Sequence, residues 1–185
     1  MRVIKQIVIH TSDSADDADI GAAEIKHLHT APKTEAIDWY GYKTHGRAWS
    51  DTGYHWIVRK DGRVEPGRPE SRSGAHVAGH NSHTIGIVWV GRSAPTDNQR
   101  KSLIQLVEDK LEEYNLQKGD VVGHCELDSK KTCPNIDMDT FRKDLFFFDS
   151  SNPISAKTEG HLPDGPSEVD IDITLEDIEN AVFEE

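Results

Sequence analysis

Two nearly unbroken apolar runs constrain what this chain can fold into more than any other feature. Ile7-Val8-Ile9-His10 and Thr84-Ile85-Gly86-Ile87-Val88-Trp89-Val90-Gly91 are rich in β-branched residues, and the second has no alternating polar face. The second reads as a central strand, covered on both sides, and the first as a buried strand that delivers a His to the sheet edge. Segments with helical spacing lie between and beyond them. Asp19 to His29 places Ile20, Ala23 and Leu28 roughly on one face, and Pro32 stops the run. Thr96 with Gln99 forms a capping box ahead of Leu103, Leu106, Val107, Leu111 and Tyr114. Asp137 to Phe147 carries Met138, Phe141 and Leu145 as a last helix. Interleaved strands and helices predict an α/β fold, a central mixed β-sheet flanked by helices.

Shorter extended pieces complete the sheet. Gly53 to Arg59 reads as a strand, and Asp61-Gly62 turns it into a hairpin because Gly supplies the positive φ of a tight turn. Asp120 to Gly123 is a short strand ending at His124. Residues 33–51 and 66–83 are polar and Gly-punctuated, and read as loops; the second is long enough to suggest a functional one.

Charge divides the chain. Residues 149–185 hold 11 Asp and Glu against one Lys, so most of the formal net charge of −12 belongs to this end. Residues 1–148 hold 22 acidic and 20 basic residues, with no basic stripe of the kind that binds nucleic acid. No apolar run approaches the roughly 18 residues of a membrane span. Met1 to Ile7 enters a strand directly, so no signal peptide is expected. The two Cys residues, Cys125 and Cys133, suit metal binding or catalysis better than a disulfide in a chain made in a reducing compartment.

The segment from Gly123-His124-Cys125-Glu126 to Lys131-Thr132-Cys133-Pro134 places an imidazole, an ammonium and a thiol in one short loop. A thiolate and a neutral imidazole are zinc ligands, and a Lys two residues before the Cys can stabilise developing negative charge. A catalytic zinc site needs a third protein ligand and an open fourth position. His10, at the end of the first strand, is the best candidate. Spacing alone leaves open the plainer alternative, a hydrogen-bonded buried His and a small apolar Cys. Ser12 and Ser14 make no hydrolase site, since the chain has no Gly-x-Ser-x-Gly elbow.

Taken together, several stretches resemble the zinc-dependent N-acetylmuramoyl-L-alanine amidases of type 2, which share their fold with peptidoglycan recognition proteins. They are Ile9-His10-Thr11-Ser12, Trp49 to Val58, Gly74-Ala75-His76-Val77-Ala78-Gly79-His80-Asn81, Thr84 to Ile87, Gly123-His124 and Thr132-Cys133-Pro134. Their order matches the family across about residues 3–146, most closely the short phage endolysins of the phage lysozyme type. The resemblance implies one zinc per chain on His10, His124 and Cys133. It implies Tyr54 and Lys131 as catalytic residues, and His76 and Asn81 in the substrate groove. Lys130 is the neighbouring decoy, and His55 is expected on the opposite strand face in a structural role. Glu126 and Asp128 are weaker candidates for a base; His27, His29, His45, His80, His83 and His161 are expected to be structural or on the surface. The chain departs from the pattern at Cys125, in a slightly long loop between His124 and Cys133, and in an extended segment 32–46.

The resemblance implies an enzyme that hydrolyses the amide between N-acetylmuramic acid and L-alanine in bacterial peptidoglycan. It implies a phage product made in the host cytoplasm, acting in the periplasm after release through a holin. The alternatives are a peptidoglycan-binding module without catalysis and a bacterial cytoplasmic wall-recycling amidase. A monomer is expected, with an amidase domain at 1–148 and an acidic tail at 149–185. That tail carries Leu175, Ile178 and Val182 at helical spacing and could engage a protein partner. Deleting residues 151–185 should leave a folded, zinc-binding domain, because the tail is too poor in apolar residues to build a core. Thermal unfolding of the truncated protein checks this; a large fall in melting temperature would make the tail part of the fold.

Overall fold

A computed structural model of the chain describes residues 2–146. The acidic tail and the helix expected near its end lie outside the described residues. The main sheet has five strands in the order β5-β4-β6-β1-β7. They are β1 (Gln6–Thr11), β4 (Trp56–Val58), β5 (Val64–Pro66), β6 (Thr84–Trp89) and β7 (Val121–Gly123). Four of them run parallel and β5 returns antiparallel at one edge, so the expected mixed sheet is present. β1 lies between β6 and β7, with Ile9 level with both Ile87 and Gly123. Every residue of β6 is buried, as its unbroken apolar run predicts.

The sheet divides its two faces between packing and chemistry. Ile7, Ile9, Ile85, Ile87 and Trp89 pack on one face against Leu103, Val107 and Leu111 of α2 (Asp97–Glu113) and Phe141 of α4 (Met138–Asp144). The opposite face carries Ile57, Val88 and Val90, covered by Ile25 and Leu28 of α1 (Ala22–Thr30) and by Trp39. The period of two along β1 thus sends Val8 and His10 to the second face.

Helix α2 starts where the capping box places it: Thr96 Oγ1 accepts from Gln99 N–H at 3.1 Å, and Gln99 Oε1 accepts from Thr96 N–H at 3.0 Å. Helix α1 begins three residues later than Asp19. Gly21 and Ala22 N–H groups are taken by the carboxylates of Glu24 and Glu65, which fixes the first turn there while Ile20 is buried ahead of it. Residues 33–51, expected as loop, contain a two-stranded antiparallel ribbon of β2 (Ala36–Asp38) and β3 (Lys43–His45). Its anchors are Ile37 and Trp39, both buried; Trp39 Nε1–H donates to Ser12 C=O at 3.1 Å. Three-residue strands leave no readable alternation, which is why the ribbon is hidden in the sequence. His124 opens a short helix, α3 (His124–Leu127), directly at the end of β7.

Gln99 does more than cap. Its fully buried amide donates to Val90 C=O at 2.8 Å and to Val58 C=O at 3.2 Å, tying α2 to the ends of β6 and β4. Gln99→Leu keeps the volume but removes these donors and the capping acceptor. It should destabilise the domain by about 1–3 kcal/mol, the penalty for stranding a buried carbonyl. The shift in urea midpoint measures it, and an unchanged midpoint would show that the amide is dispensable.

Candidate metal centre and catalytic cleft

Parallel strands deliver side chains from remote sequence to one sheet end. His10 is the next-to-last residue of β1, its register partner β7 runs into His124, and the following loop returns Cys133 beside them. The loop is held by Cys125 N–H donating to Cys133 C=O at 2.8 Å and by Thr11 N–H donating to Cys133 Sγ at 3.3 Å. One ligand atom from each of His10, His124 and Cys133 lies within 4.8 Å of the others. His10 Nδ1 stands 3.7 Å from Cys133 Sγ. Tetrahedral ligands at zinc distances for N and S would be about 3.6 Å apart. The donor set and its spacing therefore fit zinc. Both cysteines are free, and Cys125 is half-buried in α3.

Burial prepares the ligands electrostatically. His10 is 1% exposed and is held well below the usual imidazole range by burial, reinforced by His76 and His124. His124 is lowered by burial and then by the Lys131 charge, against a small opposite effect of Asp128. Both are thus neutral at pH 7, the form that binds a metal. Cys133 is pushed up to about 11, chiefly by burial, and partly restrained by the Thr11 N–H and Lys131.

A cleft of about 360 Å³ opens beside this trio, with Tyr54, His124, Lys131 and Cys133 on its wall and His10 buried next to them. The Tyr54 and His10 rings lie 5.1 Å apart. Burial raises the Tyr54 phenol far above neutral pH, so it remains a hydroxyl donor. Lys131 is exposed at the rim; Lys130 also lines the cleft, but Lys131 is the cation that acts on His124 and Cys133.

His29, expected to be structural or on the surface, is buried and forms part of the cleft wall. Its Nδ1 accepts from Gly53 N–H at 2.9 Å and its ring packs 4.6 Å from Trp49, positioning the turn that precedes Tyr54. Burial, then Arg47 and Arg68, lower it to about 4. The signal was present: Ile25, Leu28 and His29 share one face at helical spacing. Arg47 is a further cationic wall residue that sequence reasoning passed over. His55 is structural, its Nδ1 accepting from Gly86 N–H at 2.9 Å. Glu126 is committed to Gly123 N–H and Arg142.

His76 and Asn81 do not lie on the cleft wall. His76 is 8% exposed, behind His10, with its Nδ1 3.0 Å from His10 Nε2. Asn81 Oδ1 accepts from the His76 and Val77 N–H groups at 2.8 and 3.0 Å, shaping the loop that carries His76.

The sequence profile of the family described as N-acetylmuramoyl-L-alanine amidase matches residues 1–136. The chain belongs to this family. The activity is that of the family, N-acetylmuramoyl-L-alanine amidase. Its relatives include the endolysin of Klebsiella phage KP32, 33% identical over 138 residues, covering 72% of this chain and 82% of that protein. The endolysin of Escherichia phage T7 is 32% identical over 141 residues, 71% of this chain and 81% of that protein. Among solved structures, the N-acetylmuramoyl-L-alanine amidase LysC from Clostridium intestinale URNW superposes with a TM-score of 0.64 at 27% identity. The match covers 78% of this chain and 87% of that one. No helix among the described residues is long and apolar enough to cross a membrane.

Proposed function

We propose that this amidase is zinc-dependent and works as a phage endolysin, cleaving the bond between the lactyl carbonyl of N-acetylmuramic acid and the nitrogen of L-alanine. The observation that carries the metal is the convergence of His10, His124 and Cys133 beside an open cleft. One zinc ion held there would supply Lewis-acid polarisation of the scissile carbonyl and water acidified to a pKa near about 7. The chain's own groups do the rest. The Tyr54 hydroxyl, neutral throughout the working pH range, orients the reacting oxygen by hydrogen bonding. The Lys131 ammonium sits where negative charge develops as the carbonyl becomes tetrahedral, and stabilises that charge more than the ground state. Ile25, Leu28, His29 and Trp39 complete the wall of the cleft and give it an apolar side.

The phage reading rests on the endolysin relatives, which favour it over a wall-recycling amidase. It places synthesis in the host cytoplasm and the substrate across the inner membrane, reached through a holin-type pore. A non-catalytic peptidoglycan-binding module is disfavoured by the presence of three ligand atoms together with Tyr54 and Lys131 on one cleft. Mass spectrometry of digested peptidoglycan tests the reaction. New L-alanine amino termini with intact glycan are expected; new reducing sugars, or cuts between stem amino acids, would overturn it.

The roles separate by substitution. Tyr54→Phe and Lys131→Ala should keep zinc and fold but lose about 10²–10³ in turnover, the typical effect of removing one donor to a developing oxyanion. Lys130→Ala should be nearly silent. Equal turnover of Lys131→Ala and the parent protein, at equal zinc content, would remove Lys131 from the mechanism.

Metal uptake should depend on pH in a defined way. The metal-free Cys133 thiol, at about 11, holds its proton at neutral pH, whereas His10 and His124 are already neutral. Binding then releases one proton, so apparent zinc affinity should rise about tenfold per pH unit between about pH 6 and 9. Chelator competition across this range measures the slope. In Cys133→Ser the affinity should collapse and the slope vanish; a flat profile in the parent protein would exclude a thiolate ligand.

A further inference from the structure

We propose that His76 is a positioning residue of the metal centre, fixing the tautomer and orientation of His10 through an imidazole-to-imidazole hydrogen bond. The proposal rests on the assignment of His10 as a zinc ligand and gives His76 a task other than contact with substrate. The two nitrogens of His10 face different groups: Nδ1 is 3.7 Å from Cys133 Sγ, and Nε2 is 3.0 Å from His76 Nδ1. A neutral imidazole that offers its Nδ1 lone pair to a metal carries its proton on Nε2. That proton is donated to His76 Nδ1, which must then be the acceptor. His76 in turn keeps its proton on Nε2, which faces Thr84 Oγ1 at 3.3 Å, and the Thr84 hydroxyl donates to His80 C=O at 2.9 Å. Each donor in this series has an acceptor, and the series ends on a backbone carbonyl that fixes its direction.

The place of His76 is built to hold one ring orientation. The His10 and His76 ring planes are 83° apart, with the edge of one toward the face of the other. A Cβ on Gly86 would come within 2.6 Å of His76 Cγ and Cδ2, and one on Gly74 within 2.5 Å of Cδ2. The ring therefore sits where the sheet and the loop have both surrendered a side chain. Asn81 holds the backbone of His76 from behind. Metal-bound imidazoles usually give their second N–H to a carboxylate or a carbonyl. Here the acceptor is a neutral ring, which orients His10 without adding negative charge to the centre.

The test reads zinc affinity by chelator competition and the visible spectrum of the cobalt-substituted protein, both independent of turnover. His76→Phe keeps a ring and removes the acceptor; a loss of about 10–100-fold in zinc affinity is expected, with an altered cobalt spectrum. His76→Asn offers an amide oxygen near the place of Nδ1 and should recover most of the affinity. Thr84→Val removes the acceptor for His76 Nε2–H and should lower affinity by a smaller factor. Melting temperatures of the metal-free proteins separate fold from positioning: the gap between zinc-loaded and metal-free forms should shrink in His76→Phe. Parent-like affinity and spectrum in His76→Phe, or equal losses in His76→Phe and His76→Asn, would overturn the proposal. His10→Ala serves as reference. If it loses zinc while His76→Phe keeps it, only the positioning role fails; if it keeps zinc, the metal-centre reading fails.

Discussion

The pairing of β1 between β6 and β7 is the constraint on which the rest of the molecule depends. All but the first residue of β1 are buried, and its neighbours pair with it in parallel on both sides. A slip of one residue would exchange the faces of the strand and turn His10 into the α2–α4 core. Burial of Ile7 and Ile9 against that core thus fixes the register that aims His10 at the opposite face. Parallel pairing then brings the carboxyl ends of β1 and β7 side by side, where ligands of α/β sheets generally bind. This is how residues 10 and 124 become neighbours without any local signal linking them.

Electrostatics follows from the same burial. Buried in the sheet and flanked by other imidazoles, His10 and His76 stay uncharged, and the thiol beside them stays protonated until a cation displaces its proton. The positive groups are at the rim, on Arg47, Lys130 and Lys131. Neutral donors at the bottom and cations at the edge separate metal binding from stabilisation of charge on the substrate. A lysine among the donors would oppose binding of a cation; at the rim, Lys131 stays exposed to whatever enters the cleft.

The sequence was most legible where composition and local chemistry agreed. The β6 run could only be a buried strand, and the Thr96–Gln99 box starts α2 at the expected residue. The chemistry of the 123–134 loop and the end of the first strand singled out the three ligand candidates and the family resemblance supported them, but their convergence depends on the sheet order and not on their spacing. Illegible elements were those that depend on distant partners. The β2–β3 ribbon exists because Ile37 and Trp39 find the second sheet face, and α1 starts at Ala22 because Glu65 from another strand accepts its N–H. His29 lies on the apolar face of α1, but a histidine in a sequence gives no sign of whether its partner is water or backbone. The residues at 76 and 81 show the same limit: the His76 ring occupies the space left by Gly74 and Gly86, and the Asn81 side chain is taken up by the His76 and Val77 N–H groups, neither of which a motif reveals.

The second sheet face raises a physical question, since it buries His10, His55, His76 and Thr84 where apolar side chains would pack at lower desolvation cost. A half-satisfied polar cluster would be worse than an apolar core. Among the described residues, no buried side-chain nitrogen or oxygen lacks a hydrogen-bond partner. Satisfaction is achieved by interlocking side chains with backbone: His55 takes Gly86 N–H, Asn81 takes His76 N–H, and Thr84 closes on His80 C=O. These bonds also tie the 66–83 loop to β6, with the Arg68 guanidinium holding Thr52, Ser73 and Asp51 carbonyls at the loop's other end. The loop is long, but its hydrogen bonds make it a wall. Through His76, which contacts His10 Nε2 at 3.0 Å, these bonds hold the His10 ring in place, while Lys131 stands exposed.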